Sequence, residues 1–170
     1  MTTDGRQHSQ RPGLYTEAER KRRDETVWTL VQGILAPLQF VVFLISLGLV
    51  MRTLMTGEGV LAAHTSILIK TLVLYTIMIT GAIWEKVVFG QYLFAPAFFW
   101  EDVVSFVVIG LHTLYLAGLL FGLMSDVQLF AITLAAYATY VVNAAQFLFK
   151  LRAARLQMEA EAFSAMEVVQ

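Results

Sequence analysis

Glu85 and Lys86 stand sixteen residues before Glu101 and Asp102 in a stretch that is otherwise apolar and aromatic, with Trp84 leading the first pair and Trp100 the second. Two carboxyl groups held in unlike surroundings can divide the roles of general acid and general base. Packed helices lie about 8–10 Å apart, so Glu85 on one helix and the Glu101–Asp102 pair on the next would flank a single bound group. Lys86, Glu101 and Asp102 also have a structural explanation, since a cation at a helix C-terminus and anions at an N-terminus complement the helix dipoles. Glu85 lacks that explanation. A negative charge at a helix C-terminus is disfavoured, so Glu85 must pair with a cation or keep its proton. Acid–base chemistry is what the chain is equipped for: it has no Gly-rich phosphate loop, no Ser-His-Asp spacing and no metal-ligand cluster. It also has no cysteine, which removes thiolate nucleophiles, thiolate metal sites and disulfides.

Seven aromatic residues fall between Trp84 and Trp100, where the chain-wide 12% aromatic content would give about two. Trp84, Phe89, Tyr92, Phe98 and Trp100 would make a slot for a flat, apolar ligand, or else an aromatic belt at the headgroup level. His112 follows Glu101 by eleven residues, about three turns and ~16 Å of helix, and Ser105 and Tyr115 lie near that face. The two cannot touch, but a large ligand could span them. A neutral imidazole at His112 would serve as axial ligand to a metallated macrocycle, or hydrogen-bond to a neighbouring helix. Lys70 is a further ionisable residue inside an apolar run, and such residues are functional candidates by default. His64 falls close to the far surface.

These residues need elements to hold them. With 170 residues, 58% hydrophobic and 15% charged, the chain is one domain long and too apolar for a water-soluble globule. The net charge of −1 leaves no basic face for nucleic acid. Four runs are long enough to cross a hydrocarbon core as helices, which takes about 20 residues: Thr26 to Met51, Thr65 to Val88, Trp100 to Leu123 and Val127 to Phe149. The expected fold is all-α, an integral membrane four-helix bundle whose short connections make sequential spans antiparallel neighbours. Residues 1–25 form a polar tail and surface helix, 26–149 the transmembrane domain and 150–170 a charged helical tail. Residues 1–13 read as disordered, and Thr16 with Glu19 makes a capping box opening the surface helix. The apolar run behind this charged start is too long for a cleaved signal peptide. Nine of the twelve basic residues lie in the two tails, which places both termini on the cytoplasmic side, with the Glu85–Asp102 loop. Pro37 interrupts the backbone bonding of the first span. Trp28, Gln32, Leu35, Gln39 and Ser46 share one face of that span, and Thr139, Asn143, Gln146 and Lys150 one face of the last. Both faces should point into the bundle.

At WTLVQGILAPLQF (residues 28–40), GAIWEKVVFGQYLFAPAFFWEDVVS (81–105) and AAYATYVVNAAQF (135–147) the chain resembles the small integral-membrane 2-vinyl bacteriochlorophyllide hydratases of anoxygenic phototrophic bacteria. The resemblance runs from Tyr15 to Leu156. It implies addition of water to the ring-A vinyl group of chlorophyllide a or a close relative, in bacteriochlorophyll biosynthesis, at the bacterial inner membrane and without a cofactor beyond the magnesium the pigment carries. The family supplies no catalytic residues to carry over, so roles follow from the chemistry above. Glu85 would be the acid, and Asp102 or Glu101 would orient or deprotonate the water. Trp84, Phe89, Tyr92, Phe98, Trp100, Tyr115 and Asn143 would line the site. Lys86 or Lys150 would meet the pigment's propionate, and His112 its magnesium. Partners are then the tetrapyrrole and membrane lipid, with a homo-oligomer or contacts to neighbouring pathway enzymes compatible with the sequence. A pigment-binding assembly factor without turnover would use the same polar stripes and aromatic belt. A haem carrier would need axial ligands at matched depth, which His64 and His112 are not.

Overall fold

The structure, a computed structural model, describes residues 14–168, so the expected disorder of residues 1–13 lies outside the described residues. Among them every regular element is helical: α1 Glu17–Glu25, α2 Val27–Thr56, α3 Val60–Phe89, α4 Phe99–Leu120 and α5 Asp126–Val168. Thr16 caps α1 with the expected box, its Oγ1 accepting from the Glu19 amide while its own N–H donates to Glu19 Oε2 at 2.8 Å. Four helices, α2 to α5, are long and apolar enough to cross a membrane.

The helices overrun the apolar windows that announce them. α3 starts at Val60, five residues before Thr65, and α2 runs on to Thr56, because the boundary is set by turn chemistry instead of hydropathy. Only residues 57–59 separate the two, and Gly57 and Gly59 both take left-handed φ, 74° and 82°, which a side chain would oppose. α2 continues through Pro37 without ending. α5 does not stop at Lys150, since Leu-Arg-Ala-Ala-Arg-Leu is made of strong helix formers.

α2 packs closely along α3 and α4 along α5, while the two pairs meet more sparsely through α2–α5 and α3–α4. Between α2 and α3, Trp84 Nε1 donates to Thr29 Oγ1 at 2.9 Å and Gln32 Nε2 to Thr80 Oγ1 at 2.8 Å. Deeper in, Tyr137 donates to Ser46 (2.5 Å), Ser46 to Ser66 (2.7 Å), and Ser66 to the Ala63 carbonyl, a sense fixed because a carbonyl can only accept. This chain ties α5 to α2 and α3. Hydroxyls and amides thus do much of the joining, as expected where apolar contact alone gives helices little preference for each other over lipid. The outward faces are greasy, with Leu30, Ile34, Val41, Leu44 and Ile45 of α2 all exposed. α1 lies against α3, where Arg22 Nε donates to the Val88 carbonyl at 2.8 Å and satisfies one of the last acceptors of that helix.

Candidate active site

The end of α3 and the start of α4 are joined by residues 90–98, and this is where the two Trp–carboxylate clusters meet. Gly90 closes α3 in a left-handed conformation, φ 85°, with its N–H on the Lys86 carbonyl. Glu85 and Asp102 are both buried beneath the loop, and their carboxyl groups lie within hydrogen-bonding reach of each other. A bond between them needs a proton on one of the two, because an ionised carboxylate can only accept. Each carboxyl also holds one backbone amide of the loop: the Phe94 N–H donates to Asp102 Oδ2 at 2.6 Å and the Ala95 N–H to Glu85 Oε2 at 3.2 Å. Phe94 sits at φ 59°, the one non-glycine residue with positive φ among the described residues. For a bulky side chain this costs about 1–3 kcal/mol and persists only where surroundings compel it. Here the amide bond to Asp102 and the stack of its ring on Phe106, 5.4 Å away and 13° from parallel, supply that compulsion. Glu85 therefore pairs with another carboxyl and not with a cation.

Glu101 and Asp102 part company because adjacent helical residues point about 100° apart. Glu101 Oε2 accepts from Lys150 Nζ at 2.5 Å, and Lys150 also donates to the Ala97 carbonyl and lies 5.0 Å over the Phe98 ring. Lys86 donates to the Gly90 carbonyl at 2.7 Å, the C-terminal capping role open to any basic residue there, and sits 5.3 Å over Tyr92.

Of the aromatic residues singled out, Trp84, Phe89 and Phe98 come together, but their rings fill one another instead of leaving a slot. Trp84 meets both phenylalanines edge-on at 5.8 and 5.6 Å. Two rings missed from sequence complete the cluster: Tyr15 stacks on Phe89 at 5.7 Å and Phe147 on Phe98 at 5.8 Å. Their only signal was aromatic type, Phe147 near the end of the last apolar run and Tyr15 just ahead of the surface helix. Burial raises the Tyr15 phenol above its ordinary pKa, against the pull of Arg23, whose guanidinium lies 4.8 Å over the ring. Tyr92 and Trp100 are not drawn in; they are 60% and 68% exposed.

Deeper in α4, Asn143 Nδ2 donates to Ser105 Oγ at 2.7 Å. His112 is enclosed, with Nδ1 2.8 Å from the Val108 carbonyl. The carbonyl can only accept, so the ring proton is on Nδ1 and the Nε2 lone pair is bare; Nε2 has no hydrogen-bond partner. Tyr115 belongs to the opposite end: its hydroxyl bonds to His64 Nδ1 at 2.7 Å, and His64 Nε2 reaches Asp126 at 3.1 Å. His64, dismissed from sequence as a surface residue, is thus the centre of a Tyr–His–Asp chain, and it stacks on Phe130 at 4.8 Å. Lys70 is wholly enclosed among the helices, its Nζ 3.9 Å over the Tyr140 ring.

Helices able to cross a membrane, with a buried carboxyl pair under an aromatic loop, define the class: a helical membrane-type protein with a carboxyl pair buried at one end of an apolar interior. The family described as 2-vinyl bacteriochlorophyllide hydratase matches residues 15–153. The chain is 73% identical over 147 residues to the 2-vinyl bacteriochlorophyllide hydratase of Cereibacter sphaeroides, covering 86% of this chain and 91% of that protein. It is 70% identical over 155 residues to the protein of the same name from Rhodobacter capsulatus, covering 91% and 90% of the two chains. This chain belongs to the 2-vinyl bacteriochlorophyllide hydratase family. No solved structure matches it.

Proposed function

We propose that the chain adds water to the vinyl group of a bacteriochlorophyllide-type tetrapyrrole to give a 1-hydroxyethyl side chain, and that Glu85 and Asp102 carry the reaction. The observation that carries the residue assignment is the apposition of their two buried carboxyl groups beneath the loop, which would put an acid and its conjugate base side by side. In this reading the proton on Glu85 passes to the terminal vinyl carbon as the π electrons form the new C–H bond. The positive charge left on the inner carbon is delocalised into the macrocycle. Water oxygen bonds to that carbon and gives its proton to Asp102, and the bond between the two carboxyls returns the proton to Glu85. One water is consumed and both side chains end as they began, so no redox cofactor enters. Glu101 is the poorer base, being engaged by Lys150.

The pigment brings its own magnesium, and the bare, enclosed Nε2 of His112 is the kind of lone pair that an axial ligand offers, with Nδ1–H held by a backbone carbonyl. Trp84, Phe89 and Phe98 form one wall, while the outward-facing Tyr92 and Trp100 suit the headgroup level from which a greasy pigment would arrive. Lys86 and Lys150 each already hold an oxygen of the protein, which weakens both as partners for the propionate.

The contacts also favour antiparallel neighbours. Residue pairs 29–84, 32–80 and 46–66 between α2 and α3, and 101–150 and 105–143 between α4 and α5, rise on one helix as they fall on the other. Basic tails support a site and both termini on the cytoplasmic side of the bacterial inner membrane, with lipid around the bundle. Tyr115 at the far end and Asn143 on Ser105 act in this scheme as supports. The test is direct: the chain expressed in membranes and given chlorophyllide a should yield a product heavier by one water, with its red absorption band shifted to the blue as the vinyl leaves conjugation. Pigment retained but unchanged would return the chain to a binding or assembly role.

A further inference from the structure

Four helices send enclosed, unpartnered polar atoms to the same interior. Gln39 of α2 leaves both amide atoms unpaired, Lys70 of α3 its Nζ, His112 of α4 its Nε2 and Asn143 of α5 its Oδ1; the four residues are 2%, 0%, 1% and 8% exposed. Buried polar atoms are nearly always satisfied, so such a convergence marks a place for something the protein alone does not supply. It also falls on the seam between the α2–α3 pair and the α4–α5 pair, where the backbones stand further apart and side chains such as Phe43, Leu74, Tyr137 and Tyr140 fill the space. Lys70 is the outlier even here. Lys21, Lys86 and Lys150 each have a carboxylate or carbonyl oxygen within reach, whereas the Lys70 Nζ has no hydrogen-bond partner and lies against the Tyr140 ring. An amine enclosed in a membrane interior with no counter-charge is costly to protonate, and an incoming anion relieves that cost.

We propose that Lys70 is the receptor for the substrate's free carboxylate, with the flat pigment lying in the seam and its vinyl edge at Glu85 and Asp102. This rests on the hydratase reading above. The distance is of the right order: Lys70 and Glu85 are fifteen residues apart on α3 and both buried, about 22 Å by helical rise. A lysine stem, a hydrogen bond and a tetrapyrrole whose acid and vinyl arms stand on adjacent rings together span a length of that order. His112 lies on α4 at a level between the two, ten residues beyond Asp102, where the centre of the ring would fall.

The experiment compares chlorophyllide a with its methyl ester, which keeps the macrocycle, magnesium and vinyl group and removes only the charge. Binding is followed by absorption titration of the whole chain in detergent, alongside hydration of each pigment. Wild type should bind the acid about tenfold or more tightly than the ester, the range expected of a charge-assisted hydrogen bond. Lys70→Met should abolish that preference while leaving ester affinity unchanged, and Lys70→Arg should restore part of it. A merely structural lysine would weaken both pigments equally, and that result overturns the proposal. Equal wild-type affinity for acid and ester, with both hydrated, overturns it too, needs no folded variant and leaves the hydratase reading intact. A wild-type chain that hydrates neither pigment sinks the hydratase reading and this inference with it.

Discussion

Glu85 and Asp102 would repel if both were ionised, yet each holds a loop amide and the two carboxyls lie side by side. That arrangement makes their amide variants informative. Glu85→Gln keeps the size and the acceptor for the Ala95 N–H but cannot give a proton to carbon, so hydration should fall by at least ~10²-fold with pigment binding largely kept. Asp102→Asn should cost a similar factor, because the water then loses its proton acceptor. Product formation and absorption titration of each variant separate turnover from binding. If Glu85→Gln keeps more than about a tenth of the wild-type rate, less than general acid catalysis is ordinarily worth, the acid lies elsewhere.

Among the elements, α4 leaves little room beside the start of α5 at Gly118, where an added Cβ would come within 2.9 Å of both Leu129 Cδ2 of α5 and Met124 Sδ of the connection. Both atoms are tips of flexible side chains, so Gly118→Ala should be mild. Gly118→Val adds two further methyls to a filled space, and overpacking of that kind costs about 1–3 kcal/mol. The Val variant should melt measurably below the Ala variant in a thermal unfolding assay in detergent; a Val variant that melts with wild type would mean that α4 and α5 separate there at no cost. This contact lies at the opposite end of the helices from Glu85, so the Ala variant should hydrate pigment at the wild-type rate. The loop of residues 90–98 is a different kind of element, held at Phe94 in a conformation that its own residues do not favour.

For the molecule as a whole, enclosure of Lys70 sharpens the argument for orientation. Once it is counted as interior, Arg52 is the basic residue left near the end opposite the tails, and it pairs with Glu58 at 3.6 Å. Both termini should therefore report from the cytoplasm when fused to a topology reporter. A fusion after Gln170 that reports from the periplasm would overturn the charge argument and carry the carboxyl pair to the other side of the membrane.

Much of this was legible in the sequence because it rests on local physics. Four apolar stretches of spanning length specify four long helices whatever they pack against, Thr16 and Glu19 cap α1 within one turn, and Gly57, Gly59 and Gly90 mark where helices must end. The family could also be read there, since long unbroken runs of sequence carry it. Pairing could not. Whether Asp102 or Glu101 faces Glu85 depends on a rotation of about 100° about the α4 axis, which no spacing within α4 reveals. Tertiary structure alone decided that Asp102 joins Glu85 while Glu101 goes to Lys150. It decided that Phe89 and Phe98 are closed over by Tyr15 and Phe147, which lie far away in the chain. It also enclosed Lys70 without an oxygen partner, because burial belongs to the set of helices around a residue and not to the residue.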